Sequence, residues 1–132
     1  MDTIDRKILA RLQEDAAKPV AELAEEAGCS RTACWRRIKA MEDAGIIRRQ
    51  VSLLDREKLN LPVTVFVAVK TSRHDADWLE KFATTVQDLP EITEFYRMSG
   101  EIDYLLKVVV PDVAAYDRFY QRLIRRIDLS DV

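Results

Sequence analysis

Ala21-Glu22-Leu23-Ala24-Glu25-Glu26-Ala27-Gly28-Cys29-Ser30-Arg31-Thr32-Ala33-Cys34-Trp35-Arg36-Arg37-Ile38-Lys39-Ala40-Met41-Glu42-Asp43 carries two amphipathic helices and the turn between them. Val20, Leu23, Ala24 and Ala27 recur at i, i+3, i+4 and i+7, one face of a helix that Pro19 can open at its first position. Gly28 stands where a helix ends in the left-handed region. Ser30 is a helix-capping residue, and Cys34, Ile38 and Met41 form the inward stripe of the helix it starts. Two short helices joined by a three- or four-residue turn make a helix-turn-helix.

Upstream, Ile4, Ile8, Leu9 and Leu12 repeat at helical spacing, with Asp2 or Thr3 available as cap. Downstream, Gly45 closes the third helix. Ile46-Ile47-Arg48-Arg49-Gln50-Val51-Ser52-Leu53 alternates β-branched and basic residues, which predicts a two-stranded wing. Leu54–Pro62 reads as a linker, since Pro62 disfavours helix just before it. The period then changes. Val63–Val69 is a nearly unbroken β-branched run, predicting a central strand buried on both faces. Trp78, Leu79, Phe82, Val86 and Leu89 follow helical spacing. Glu91–Met98 reads as a strand of poor alternation, and Tyr104–Val110 as a clear one. Asp112 caps a last helix with Val113, Tyr116, Tyr120, Leu123, Ile124 and Ile127 on one face. The reading is α+β, with residues 1–53 a winged helix-turn-helix, 54–62 a linker and 63–132 a ferredoxin-like βαββα(β) domain. The strand that would complete the sheet should begin at Ser130-Asp131-Val132, where the sequence stops.

Composition narrows the function. The 132 residues carry 21 Lys and Arg against 23 Asp and Glu, a net charge of −2. Locally the balance reverses: between 31 and 49, Arg31, Arg36, Arg37, Lys39, Arg48 and Arg49 face only Glu42 and Asp43. With Cys34, Ile38 and Met41 turned inward, Arg31, Thr32, Trp35, Arg36 and Lys39 point outward. Arginine can fork onto guanine or a phosphate, and threonine can meet a base edge or a thymine methyl. The helix N-terminus at Ser30 adds backbone donors for a phosphate, and Arg48 and Arg49 could hold the backbone beside the groove. The predicted partner of this face is double-stranded DNA, with Arg37 left to pack or pair inside the domain.

Other chemistries find less support. Cys29 and Cys34 lie five apart, which is not a zinc spacing, and His74 is the single histidine. We expect neither metal nor cofactor. No nucleophile motif or phosphate-cradling glycine loop points to an enzyme. No apolar run approaches the ~20 residues of a membrane span, and the acidic opening Met1–Asp5 does not resemble a leader, so a cytoplasmic location is expected.

Several segments together resemble the Lrp/AsnC (feast/famine) regulators. Asp2-Thr3-Ile4-Asp5-Arg6-Lys7-Ile8-Leu9 is similar to their opening, and Cys29–Lys39 resembles their recognition helix. Ala44-Gly45-Ile46-Ile47 matches their turn into the wing. Ser99-Gly100-Glu101-Ile102-Asp103-Tyr104-Leu105-Leu106-Lys107 looks like the turn between the second and third strands of their sensor domain. The resemblance implies a transcription regulator that binds DNA and an amino acid or related metabolite. It also implies dimers paired through the sensor sheets and often assembled into octamers. Carried over, the effector residues are Gly100, Glu101, Asp103 and Tyr104, with Met98 and Ser99 beside them. A glycine turn can offer N–H groups to a carboxylate while Asp103 meets an α-ammonium. A plain β-turn with a satisfied aspartate would explain the same residues.

Chains of that family continue for about another strand and a tail. Three explanations stay open for their absence here: a shortened chain, an impaired sensor, or another segment covering the edge of the first strand. Two other functions fit less well. One is a ligand-binding or oligomerisation module without DNA binding. The other is a tetrapyrrole decarboxylase of similar fold, which would want histidines lining a cavity, whereas His74 sits in the polar loop Ser72–Asp75.

Overall fold

The computed structural model describes residues 1–127, which form two compact units, 1–53 and the part from Leu54 onward. The expected start of a fourth strand, Ser130–Val132, lies outside the described residues.

The first unit is a three-helix cluster: α1 (Thr3–Glu14), α2 (Val20–Ala27) and α3 (Arg31–Asp43). Each forms for a local reason. Asp2 caps α1: its Oδ1 accepts the Asp5 N–H at 2.9 Å, and the Asp5 carboxylate accepts the Asp2 N–H at 3.3 Å. This reciprocal pair satisfies donors that a helix start leaves free. Pro19 caps α2 from just outside the helix, one position earlier than expected. The helices meet through Ile8, Leu23, Ala24, Ala27, Cys34 and Met41, all buried, with Ile4, Leu9, Leu12 and Ile38 packed around them. Arg37, half-buried, reaches back to α1 and donates to the carboxylates of Asp2 at 2.7 Å and Asp5 at 3.0 Å.

The predicted wing does not form. Among the described residues, no strand occurs between Ile46 and Leu53, and Leu53 is 94% exposed. The physical reason is pairing. An eight-residue ribbon must reverse through a turn, and this segment has none of the Gly, Asn, Asp or Pro residues that a two-residue reversal requires. Instead Ile46 and Ile47 fold back on the end of α3, their N–H groups donating to the Met41 carbonyl at 2.9 and 3.1 Å, and with Val51 and Leu53 they line an apolar groove of about 470 Å³ beside Leu9 and Leu12 of α1.

In the second unit, residues 54–62 contain a hydrogen-bonded turn, with Leu61 N–H donating to the Arg56 carbonyl at 2.8 Å. After it come β1 (Val63–Val69), α4 (Ala76–Asp88), β2 (Ile92–Arg97), β3 (Tyr104–Val110) and α5 (Val113–Arg126). The three strands form an antiparallel sheet in the order β1-β3-β2. The expectation that β1 is central is therefore corrected: β3 is the middle strand. Val67 and Val69 face the helices, whereas Phe66, just before them and on the alternate face, is 60% exposed, so among the described residues β1 is covered on one face only. The poor alternation of 91–98 also has a cause. The register shifts between Ile92 and Glu94, a bulge that resets which face the following residues occupy.

Val67, Val69, Leu106, Val108 and Val110 of the sheet pack with Trp78 and Phe82 of α4 and with Phe119 and Leu123 of α5. Two helix faces differ from the expected ones. Leu79 is 42% exposed. On α5 the buried stripe is Phe119, Leu123 and Ile127, whereas Val113 and Ile124 face outward. The i, i+4, i+8 row that includes Phe119 puts the one fully buried aromatic side chain of α5 under the sheet.

Two outcomes follow from this packing. Phe82 stacks on Trp78 at 4.9 Å and touches Tyr104 at 4.9 Å. In urea unfolding, Phe82→Ala should destabilise the second unit by about 3–5 kcal/mol, as truncation of a buried aromatic does, while Leu79→Ala should cost less than about 1 kcal/mol. In the first unit, the Asp5 N–H and then the Arg37 guanidinium hold the Asp2 carboxyl below the usual carboxylate range. The stability this adds is present above the value of an unperturbed aspartate, about 3.9, and is lost as pH falls through the lower folded value. Asp2→Asn should therefore flatten the acid side of the first unit's stability profile, measured by urea unfolding from pH 2 to pH 6.

Candidate nucleic-acid interface and effector turn

The turn between α2 and α3 is set by Gly28 and Ser30. Gly28 adopts φ 79°, ψ 38°, the left-handed cap, and its N–H donates to the Ala24 carbonyl at 2.9 Å. The Cys29 N–H donates to the same carbonyl at 3.0 Å. A residue with a Cβ would be strained at this φ. Two residues on, the Ser30 hydroxyl accepts the Ala33 N–H at 3.1 Å and starts α3. The capped turn leaves the first N–H groups of α3 pointing outward beside Arg31 and Thr32.

Burial of Cys34 and Met41 fixes the roll of α3. Arg31, Thr32, Trp35, Arg36 and Lys39 are consequently exposed, as is Ser30 at the helix start. Arg37, between the two faces, is the basic residue of α3 that turns back to α1. Among the described residues Arg31 and Arg36 enter no ion pair, while Lys39 lies 3.3 Å from the Glu42 carboxylate. Arg48 and Arg49 are exposed on the irregular segment after α3, also without an ion pair among the described residues. The arrangement is a cationic strip with one large aromatic, Trp35, in its middle. Cys34 has no share in it: burial, aided by the adjacent Cys29, pushes its thiol up and keeps it neutral in the core.

The second candidate region is the β2–β3 connection. Met98, Ser99, Gly100 and Glu101 are exposed, and Gly100 has φ 105°, backbone open only to glycine at low cost. The loop is closed by the Met98 N–H donating to the Asp103 carbonyl at 2.8 Å. Asp103, half-buried, ties it to β1: its N–H donates to the Val69 carbonyl at 3.0 Å, and its Oδ2 accepts the Thr71 N–H at 2.8 Å. Tyr104 turns the other way. Its ring lies in the aromatic core, 5.9 Å from Trp78 and 5.4 Å from Phe95. Five of the six expected effector residues thus cluster at the turn, while Tyr104 supports it from below. Thr71, buried and bonded to Asp103, was not visible in the sequence, because nothing local marks a contact spanning 32 residues.

Among the described residues, no group of three or more His, Cys, Asp or Glu side chains could hold a metal, and no helix is long and apolar enough to cross a membrane.

Comparison with known proteins finds a match for each of the two units. Residues 1–42 match the AsnC-type helix-turn-helix domain, and residues 64–132 match the Lrp/AsnC ligand binding domain. The chain is 48% identical over 132 residues to the glutamate uptake regulatory protein of Zymomonas mobilis, covering all of this chain and 80% of that protein. It superposes on an AsnC family transcriptional regulator from Agrobacterium tumefaciens with a TM-score of 0.94 and 56% identity, over 99% of this chain and 86% of that one. It matches a transcriptional regulator from Neisseria meningitidis, solved as its L-methionine complex, with a TM-score of 0.93 and 36% identity, over 99% of this chain and 85% of that one. With its helix-turn-helix and its βαββα domain each matched in order along the chain, this protein belongs to the Lrp/AsnC family of DNA-binding transcriptional regulators.

Proposed function

We propose that α3 lies in the major groove of duplex DNA, and that the turn at 98–103 receives an amino acid that modulates this binding. The observation that carries the first half is the pairing pattern of the basic residues. Arg37 is spent inside the domain, whereas Arg31 and Arg36 stand on the outward face of a capped helix without an ion pair among the described residues. Ser30, Arg31, Thr32, Trp35, Arg36 and Lys39 form the groove-facing surface. The α3 N-terminus and the guanidinium groups of Arg48 and Arg49 meet the phosphates. Residues 1–53 are the reading unit, 54–62 the connection, and 63–132 the sensor.

For the sensor, the chemistry at the turn suits a zwitterion. The exposed N–H groups around Gly100 can donate to a carboxylate. The Asp103 oxygen not engaged by Thr71 can accept an α-ammonium, with Met98, Ser99 and Glu101 beside it. The Neisseria relative was solved with L-methionine, and the Zymomonas relative is named for glutamate uptake, so an α-amino acid is the class to test.

The open face of the sheet suits a second copy of the chain. Phe66, Lys107, Glu94 and Tyr96 lie on the side away from the helices; Lys107 reaches Glu94 at 3.8 Å, and the Tyr96 hydroxyl donates to Glu94 at 2.7 Å. An exposed aromatic face bordered by satisfied charges is what a homodimer interface requires.

Fluorescence anisotropy with a pool of random duplexes tests the DNA half. Affinity should fall steeply between 50 and 200 mM salt, by roughly 10³-fold if six or more phosphates are contacted. Arg36→Glu should abolish binding and leave the fold intact by circular dichroism. A flat salt response, or unchanged affinity in the variant, would exclude α3 from the groove. For the sensor half, Asp103→Asn keeps an acceptor for the Thr71 N–H but removes the charge. Isothermal titration with L-methionine and L-glutamate should show affinity lowered roughly tenfold or more, with the unfolding midpoint nearly unchanged. Equal affinity in the variant would make Asp103 a purely structural residue.

A further inference from the structure

Trp35 is the feature of α3 that general cationic attraction does not explain. It is 54% exposed, in the centre of a polar face, where a large apolar side chain contributes nothing to the domain's own core. Lys39, one turn further on, holds its ammonium 5.8 Å from the centre of the indole ring. That is within cation–π range, and i, i+4 side chains are neighbours on a helix surface. The same ammonium lies 3.3 Å from Glu42. Lys39 therefore sits between an aromatic face and a carboxylate, its charge balanced within α3. Arg31 and Arg36 have no such partner among the described residues.

From this division of labour we infer that Trp35 gives the interface its base preference by apolar contact with the C5-methyl of a thymine, and that Lys39 is a positioning residue for the indole and not a phosphate contact. The inference rests on the proposed placement of α3 in the groove. Its physical logic is that each base pair displays a different edge in the major groove, and the thymine methyl is the one apolar group there. A flat indole can cover that methyl and exclude water from it. Held by Lys39 on one side, the ring keeps a single orientation, so a wrong base presents a polar edge to an apolar surface.

Deoxyuridine provides the test, because it pairs like thymidine and lacks only the methyl. Duplexes are first selected from a random pool by the wild-type protein, and each thymidine is then replaced in turn by deoxyuridine. At one or more positions the wild type should lose roughly fourfold in affinity, the worth of one buried methyl group. Trp35→Ala should bind more weakly and be indifferent to that replacement, while Trp35→Phe should retain part of the sensitivity. Lys39→Met should leave the slope of log K against log salt unchanged, yet weaken the deoxyuridine effect. Arg48→Met should reduce that slope by about 0.9, one phosphate contact.

A deoxyuridine effect that is absent in the wild type, or equal in wild type and Trp35→Ala, overturns the role given to Trp35. A slope reduced by about 0.9 in Lys39→Met overturns the role given to Lys39. Either failure leaves DNA binding itself standing. Absence of salt-dependent binding by the wild type to any duplex is instead the failure of the α3 assignment. Iodide quenching gives an independent reading, since Trp78 is buried and contributes little: the selected duplex should shield Trp35, and unchanged quenching contradicts the contact.

Discussion

The burial of Cys34 and Met41 against Ile8 and Leu23 is the constraint on which the first unit depends. A helix of 3.6 residues per turn that commits one stripe to a core must present the opposite stripe to water. In α3 that opposite stripe is Arg31, Trp35, Arg36 and Lys39. The roll angle, and with it the chemistry of the outward face, follows from which residues are apolar. The capped turn supplies the second restraint, because Gly28 and Ser30 fix where α3 begins and which N–H groups it leaves free. Arg37 adds a third by joining α3 to the carboxylates that cap α1. These are surface ion pairs, so they orient more than they stabilise.

In the second unit the same economy places a turn and leaves a face open. Two helices cover one side of a three-stranded sheet, and the side chains of Phe66 and Tyr96 remain on the other. The loop at 98–103 is held by hydrogen bonds to β1 and to Thr71, two residues after its end. A movement of the loop would therefore be felt first at the β1–α4 connection, where Asp75 caps α4 through the Trp78 N–H. Asp103 is at once the acceptor that fixes this loop and the group whose second oxygen faces a ligand in the proposed function.

Much of this was legible in the sequence because its determinants are local. The stripe Leu23, Ala24, Ala27, the glycine at 28 and the serine at 30 together specify the helix-turn-helix without long-range information. Strands are different, since each needs a partner elsewhere in the chain. The apolar run Val63–Val69 announced a strand correctly but suggested two covered faces, while the described residues cover one. Ile46–Leu53 has strand-like residues and no partner, so no wing formed. On α5 the sequence contains two overlapping apolar rows, and only packing against the sheet selects the one through Phe119. Thr71 could not have been found at all, because its role is a backbone N–H meeting a distant carboxylate. In the candidate interface the residue types were readable, whereas the distinction between the engaged Arg37 and the unengaged Arg31 and Arg36 needed coordinates.

In the proposed function α3, and not another surface, meets DNA. Hydroxyl-radical footprinting of the protein, read by mass spectrometry with and without duplex DNA, addresses it most directly, because exposed aromatic and sulfur-containing side chains report their own accessibility. DNA should protect Trp35 strongly and leave Phe66, Tyr96 and Met98 of the second unit as reactive as before. Undiminished oxidation of Trp35, with protection falling on the second unit, would contradict it.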